Sequence, residues 1–429
     1  MLLLWLVCLP RDLFKGTPYS TVVVDKNGEL LGARIADDGQ WRFPPSASVP
    51  KKYETALIEF EDRGFRHHPG VSLRAIGRAL VQNIRGGHTV SGASTISMQV
   101  IRLSRQKERT LRQKLTEMFL ATRLEARYTK DEILALYASH APFGGNVVGL
   151  DAAMWRYLGR DGDDLSWAEA ATFAVLPNAP SSINLAQNRE QLLQKRNRLL
   201  LRLKDKGYID EATCDAAIDE PLIGEIHPLP SYCPHLVEYY NGTSHGQLVH
   251  TDIDLSLQSR AEEKLSLWRT SHCENGINDL AAIVLDVRTG ETLMYCGNAD
   301  IGAKRPGAWV DIARSPRSTG SILKPLLYCA ALQEGAVLPQ SLLPDIPTNF
   351  GGFSPKNFDL GYDGAVPADE ALERSLNIPN VYLLRKFGTA RFADILRKAG
   401  VSTLKRKPEE YGLSLILGGS EACLWDLVK

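Results

Sequence analysis

The sequence predicts a multidomain chain in which a mainly α domain is followed by an α/β domain, and three observations predict it. From residue 51 to about 208, apolar residues recur at three- and four-residue spacing, the period of an amphipathic helix. Four prolines then cluster in EPLIGEIHPLPSYCPH, at 221, 228, 230 and 234, and mark a connector. Beyond it, AAIVLDVRTGETLMYCG holds two β-rich runs around Arg288-Thr289-Gly290, a hairpin opening a mixed domain. The length of 429 residues fits two or three domains. With 44% hydrophobic and 23% charged residues, wholesale disorder and collagen-like repetition are excluded.

Taken in order, the chain opens on MLLLWLVCLP, apolar from residue 2 to residue 9 and closed by Arg11, Asp12 and Lys15. A membrane span needs about 20 such residues, and the basic start and small-residue cleavage site of a signal peptide are missing. The run therefore reads either as a buried first element or as the outer end of an anchor. Residues 19–43 read as a small β meander, with VVV, an Asn27-Gly28 turn, LLGARI and Asp38-Gly39. ETALIEFED and SLRAIGRALVQNI carry the helical period. Thr129 with Glu132, and Ser166 with Glu169, are capping boxes that start helices.

Fifty basic and fifty acidic side chains sum to zero, which gives no support for a nucleic-acid binder. The charge is nevertheless uneven. Between Lys51 and Lys130 there are 16 Lys/Arg against 7 Asp/Glu, so this segment carries +9 and the remainder −9. Such a face is either simply solvated or directed at anionic lipid heads or a phosphate-bearing substrate. The seven cysteines form no CxxC pair and no zinc spacing. An odd number excludes a complete disulfide framework, and they read as core or incidental residues.

Two groups of segments are candidates for chemistry. Glu61-Asp62-Arg63-Gly64-Phe65-Arg66-His67-His68-Pro69-Gly70 is dense in ionisable groups at the end of an amphipathic run, and by itself reads as a solvated helix end before it reads as a catalytic acid. Gly92-Ala93-Ser94-Thr95-Ile96-Ser97-Met98-Gln99 is a polar stretch that reads as a loop and N-cap. In LRQKLTEMFLATRLEAR, Leu111, Leu115, Met118 and Phe119 form an apolar stripe, while Lys114 and Glu117 share a face. The second group opens on Arg317-Ser318-Thr319-Gly320-Ser321-Ile322-Leu323-Lys324-Pro325, an S-x-x-K pattern that sets Ser321 at a helix start with Lys324 one turn on. There the lysine can take the serine proton. Ser375-Leu376-Asn377 reads as a second wall of that site, and Ser318 is a decoy with no lysine three residues on.

In this order the first set of segments resembles the family 51 glycosyltransferase domain of bifunctional, class A penicillin-binding proteins. The segments are EDRGFRHHPG, GASTISMQ, KLTE (114–117), KDEILALY (130–137) and KRNRLLLRL (195–203), with AAMWRYLG (152–159) and AVLPNAPS (174–181). The resemblance covers about 51–205. It implies a mainly α, lysozyme-like fold and a glycosyltransferase that polymerises lipid II into a glycan strand with inversion. It assigns Glu61 as the general base for the attacking sugar hydroxyl, a role worth roughly 10²–10⁴-fold. Glu117 takes a supporting role around the donor. Asp62, Phe65, His68, Ser94, Thr95, Gln99, Arg102, Lys114 and Arg196 follow as substrate-binding residues, the cations facing the leaving pyrophosphate. Met98 and Arg102 depart from the commoner glutamine and lysine, and Met98 is expected to change how the sugar is held. Tyr137-Ala138-Ser139 stands where the family often has YLN and reads as helix-end packing. A lysozyme-like hydrolase is the rival; the cations between the two glutamates favour a phosphate-bearing donor.

With TDIDLSLQSRAEEKL (251–265) before it and LSLILGGSE (413–421) after it, the second set resembles the penicillin-binding transpeptidase domain, of partial α/β type. That resemblance assigns Ser321 as acyl-enzyme nucleophile, Lys324 as its base, and Ser375 and Asn377 as proton-relay and positioning groups. The K-T-G element of the family is not among these residues: Lys405, Lys407 and Lys429 are the lysines after residue 400, and none precedes Thr-Gly. Loss of oxyanion donors costs about 10²–10³ in rate, so this domain is expected to be incomplete and its activity absent or crippled, with β-lactam binding conditional on a completed domain.

The expected organisation is therefore a partial membrane anchor at 1–15, a small β segment at 16–50, the glycosyltransferase domain at 51–208, a connecting segment at 209–279, and the first part of a transpeptidase at 280–429. Partners implied are lipid II, the nascent glycan strand and inner-membrane lipids, with no nucleic acid. The bulk of the chain would lie on the outer face of the cytoplasmic membrane. No tightly bound cofactor is expected; stimulation by a divalent cation (Mg or Mn) is known among relatives, and the sequence shows no dedicated ligand cluster. The alternative functional class is a non-catalytic, cell-wall-binding or scaffold product.

Overall fold

The computed structural model describes residues 5, 8–77, 94–108, 110–162, 164–178, 188–224, 226–302 and 304–429. Most of the apolar opening run, the second half of SLRAIGRALVQNI, Gly92 and Ala93 of GASTISMQ, and the end of AVLPNAPS lie outside the described residues. The chain divides into two compact units, Met1–Thr251 and Asp252–Lys429. That division falls inside the expected connecting segment.

In the first unit the meander forms only in part. β1 (Thr21–Val24) and β2 (Leu30–Arg34) pair antiparallel around the Asn27-Gly28 turn. The third run, β3 (Trp41–Arg42), leaves that sheet and pairs parallel with β5 (Val147–Val148), which also pairs with β4 (Pro142–Gly144). The free edge of β1 takes a parallel partner from the connecting segment, β6 (Leu248–His250), with Val22 opposite Leu248. No local pattern announces a pairing across that sequence distance.

The helices follow the predicted period. They are α1 (Lys51–Glu61), α2 (Ile96–Arg105), α3 (Leu111–Glu125), α4 (Lys130–His140), α5 (Leu150–Leu158), α6 (Trp167–Val175) and α7 (Arg189–Asp205). Both capping boxes are present, closing the first turns of α4 and α6. α8 (Glu211–Asp219) and α9 (Pro234–Thr243) complete the unit, so the connecting segment is largely structured. One apolar core runs through these elements, from Leu57 and Phe65 to Ile133, Phe173 and Leu203. Leu9 at the end of the opening run, and Leu13 and Phe14 just after it, join this core. Among the described residues no helix is long and apolar enough to cross a membrane.

The expected stripe on α3 is not its buried face. Leu111 and Leu115 are 76% and 59% exposed, whereas Glu117, Leu120, Ala121 and Leu124 are buried. Helix α2 packs on α3 along that buried face, which leaves the first two turns of α3 projecting.

The second unit begins with α10 (Leu255–His272), which packs on the antiparallel hairpin β7 (Ala282–Leu285) and β8 (Thr292–Cys296). The turn at Arg288-Gly290 joins the strands as predicted. After β9 (Arg317–Ser318) come α11 (Lys324–Gln333) and the hairpin β10 (Leu342–Asp345) and β11 (Gly364–Pro367). They are followed by α12 (Ala368–Glu373), α13 (Asn377–Phe387), α14 (Thr389–Lys398) and β12 (Glu421–Ala422), which pairs with β9. Leu323, Leu327, Val381, Leu384 and Phe392 centre a separate core. The seven cysteines are all free thiols.

Candidate active sites

Glu61 is the last residue of α1, half-buried, and both its carboxylate oxygens accept from carboxamides. Gln99 Nε2 donates to Oε2 at 2.7 Å, and Asn178 Nδ2 donates to Oε1 at 3.2 Å. Each amide oxygen in turn faces a cation: Arg102 donates to Gln99 Oε1 at 3.2 Å, and Lys195 Nζ to Asn178 Oδ1 at 3.4 Å. Tyr53 and Tyr137 stand close behind, fully buried. Burial first, and then the negative charge of Glu61, push both phenols upward, with Arg102 opposing the shift at Tyr137. The inner wall of the site therefore stays neutral, and one cation stands behind each of the two amides, Arg102 on the Oε2 side and Lys195 on the Oε1 side.

The segment after Glu61 builds this geometry. Asp62 is buried and accepts from His68 Nε2 at 2.9 Å and from the Ile96 N–H at 3.1 Å. Its carboxylate thus holds the loop and caps the positive end of α2. His68 Nδ1 accepts from the Gly70 N–H at 3.2 Å. Gly70 has φ +92°, and a Cβ there would come 2.5 Å from Ala121 O, so only glycine lets this loop pass α3. Thr95 caps α2, accepting from Met98 N at 3.2 Å, and donates to Gly70 O at 2.6 Å. Lys130 ties the same loop from α4: Nζ donates to His68 O at 2.7 Å, pairs with Glu125 at 2.6 Å, and lies 4.4 Å from the Phe65 ring centroid. Ser97 donates to Glu125 as well.

The residues assigned by resemblance therefore divide. Glu61, Gln99 and Arg102 come together in one hydrogen-bonded chain. Asp62 and His68 form a pair that supports it. Ser94 is half-buried just before the α2 cap, Lys114 is exposed on α3, and Glu117 is buried on the same helix. Three residues expected to meet substrate are instead interior. Phe65 is fully buried and Thr95 is 1% exposed. Arg196 is fully buried, its guanidinium donating to Glu220 O at 2.6 Å and Ile218 O at 2.8 Å. The cation that turns toward Glu61 is its neighbour Lys195, because one residue along a helix is a rotation of about 100°. Met98 is likewise 1% exposed, so its side chain is interior. Tyr137, Ala138 and Ser139 are buried helix-end residues, as read from the sequence. The sequence alone does not mark Asn178, Lys195, Tyr53 or Lys130; Asn178 and Lys195 lie inside AVLPNAPS and KRNRLLLRL and Lys130 opens KDEILALY, segments that are legible as wholes but not residue by residue.

The second unit holds a separate cluster. Lys324, the first residue of α11, is 1% exposed. Its Nζ donates to Asn377 Oδ1 at 2.7 Å, Ser375 O at 2.7 Å and Ser375 Oγ at 3.2 Å. Burial pushes its amine down to about 8, which favours the neutral form a base requires. Ser375 adopts φ +54°, and this left-handed turn brings both its oxygens toward Lys324. Asn357 Oδ1 accepts from Asn377 N at 2.9 Å, and its Nδ2 donates to the buried Asp345 at 2.7 Å, fixing the start of α13.

Ser321 is exposed in the turn before α11, where the Lys324 N–H meets its carbonyl at 3.1 Å. No hydrogen bond joins its hydroxyl to Lys324. Ser318 donates to Gly418 O at 2.8 Å within the β9–β12 contact, a structural engagement that agrees with its reading as a decoy. Among the described residues, no three His, Cys, Asp or Glu side chains gather as a metal site.

A transglycosylase family model matches residues 27–204, and a model of the penicillin binding protein transpeptidase domain matches residues 280–413. Penicillin-binding protein 1C of Escherichia coli (strain K12) is 38% identical over 420 residues, 97% of this chain and 54% of that protein. Penicillin-binding protein 1F of Bacillus subtilis (strain 168) is 29% identical over 420 residues, 94% of this chain and 57% of that protein. A crystal structure of penicillin-binding protein 1A from Haemophilus influenzae covers 96% of this chain and 67% of that one at 19% identity, with a TM-score of 0.44. The chain spans about half the length of the curated relatives it matches.

Proposed function

This chain belongs to the class A penicillin-binding proteins, and from that membership we propose that it is a peptidoglycan glycosyltransferase that polymerises lipid II, with Glu61 as the general base. The observation that carries the reading is the arrangement around Glu61. A carboxylate oriented by two carboxamides faces solvent beside Arg102 and Lys195, so one group can take the proton from a sugar hydroxyl while the others meet a departing pyrophosphate. Lys114, exposed on α3, is available to the same anion. A neutral glycan has no use for so many cations, which disfavours hydrolysis of a finished strand.

The same reading puts the first unit against a membrane on the outer side of the cell. Leu111 and Leu115 project from α3 with Arg112 and Lys114 beside them, a combination suited to anionic lipid heads. Stimulation by a divalent cation would act through the substrate's pyrophosphate. In the second unit, Ser321, Lys324, Ser375 and Asn377 supply a nucleophile, a depressed amine and its orienting groups, the components of a penicillin-reactive serine site.

The test is polymerisation of lipid II by purified protein beside Glu61→Gln, which should make no glycan. Polymer formed by Glu61→Gln would sink the assignment. Lipid II bound but never polymerised by the unsubstituted protein would select a non-catalytic module instead.

A further inference from the structure

We propose that Asn178 is a positioning residue for the general base, and that Lys195 acts on Glu61 through it. This rests on the glycosyltransferase reading and deepens it. Glu61 ends α1, where unpaired carbonyls make the helix terminus negative and a carboxylate is disfavoured without donors. Gln99 supplies one donor from α2. The second comes from the turn after α6, where the exposed Asn178 follows directly on the buried Leu176 and the half-buried Pro177.

The orientation of a carboxamide is fixed by what its two ends meet. If Asn178 were reversed, its oxygen would face the Glu61 carboxylate and its NH₂ group the Lys195 ammonium, two repulsions in place of two attractions. Lys195 therefore decides which way Asn178 points, as Arg102 does for Gln99 on the other oxygen. The two halves are alike: carboxylate, carboxamide, cation.

This has a chemical consequence. A cation in direct contact would lower the proton affinity of Glu61 and weaken it as a base. Among the described residues no ion pair reaches Glu61; each cation stands one amide away. The carboxylate is oriented without being neutralised, and Lys195 and Arg102 keep donors for the phosphates. Asn178 is the spacer on the Lys195 side, and its replacement should change the ionisation of the base and not only the fold.

The experiment measures the pH dependence of lipid II polymerisation for Asn178→Asp and Asn178→Ala, with Glu61→Gln in parallel and thermal unfolding as a check on folding. Asn178→Asp sets a second carboxylate against Glu61, so its acid limb should move upward by about one pH unit or more. Asn178→Ala removes a donor to a charged group, so kcat should fall about tenfold with KM for lipid II within about twofold. Acid limbs and kcat values matching the unsubstituted protein, with Glu61→Gln inactive, would overturn the role of Asn178. Polymer from Glu61→Gln would instead overturn the reading of Glu61 on which the proposal rests.

Discussion

Gln99 and Glu61 are 38 residues apart in sequence and meet at 2.7 Å, the amide of one donating to the carboxylate of the other. Helix α2 can present Gln99 there because its first turn is fastened twice, by the Thr95 cap and by the Asp62 carboxylate on the Ile96 N–H. The base is therefore oriented by a helix whose own start is held by the residue next to the base.

Gln99→Ala is expected to lower kcat for lipid II polymerisation by about 10- to 100-fold, the loss of one hydrogen bond to a charged group. Steady-state kinetics on the purified variant measure it. An unchanged kcat would show that the remaining contacts hold Glu61 without Gln99.

Arg196 and Lys195 should separate stability from activity. Arg196→Met removes the donors to Glu220 O and Ile218 O and leaves two part-buried carbonyls without them, so unfolding in urea should show a loss of about 1–3 kcal/mol. Lys195→Met touches no core contact and should keep the urea midpoint while polymerisation falls.

Acid should weaken the first unit through His140. Burial lowers this imidazole from its ordinary 6.5 to about 4; its Nδ1 lies 2.8 Å from Leu136 O and its Nε2 2.9 Å from the Tyr19 hydroxyl. A neutral ring donates at the first and accepts at the second. The folded state then binds fewer protons than the unfolded state between those values. Stability is complete above pH 6.5 and is lost as pH falls toward 4, by up to roughly 3 kcal/mol. Denaturation midpoints measured across that window, flattened in His140→Gln, would bear this out.

Any covalent labelling of the second unit by a fluorescent penicillin should depend on Ser321 and survive Ser318→Ala, because Ser318 is engaged with Gly418 O. Its rate should rise with pH through about 8 as Lys324 loses its proton. Labelling that persists in Ser321→Ala would identify another nucleophile.

What the sequence determined by itself was local or strung along the chain. The helical period, the two capping boxes, the hairpin at Arg288-Gly290 and the order of the catalytic segments could all be read without a fold, since each depends on residues a few positions apart. Tertiary structure decided the rest. It sent β3 to β5, gave β1 its partner from residues 248–250, and turned the Leu111–Leu115 stripe outward. It also separated residues that the segments had grouped. In KRNRLLLRL a rotation of about 100° sends Arg196 to the core and Lys195 to the base, and Thr95 and Phe65 support the loop from inside. Which side of a helix is buried depends on what packs against it, and that partner comes from far away in the chain. Glu61 is assigned only by the resemblance of several segments taken in order; the amides and cations around it could be found only where α1, α2, α7 and the turn after α6 meet.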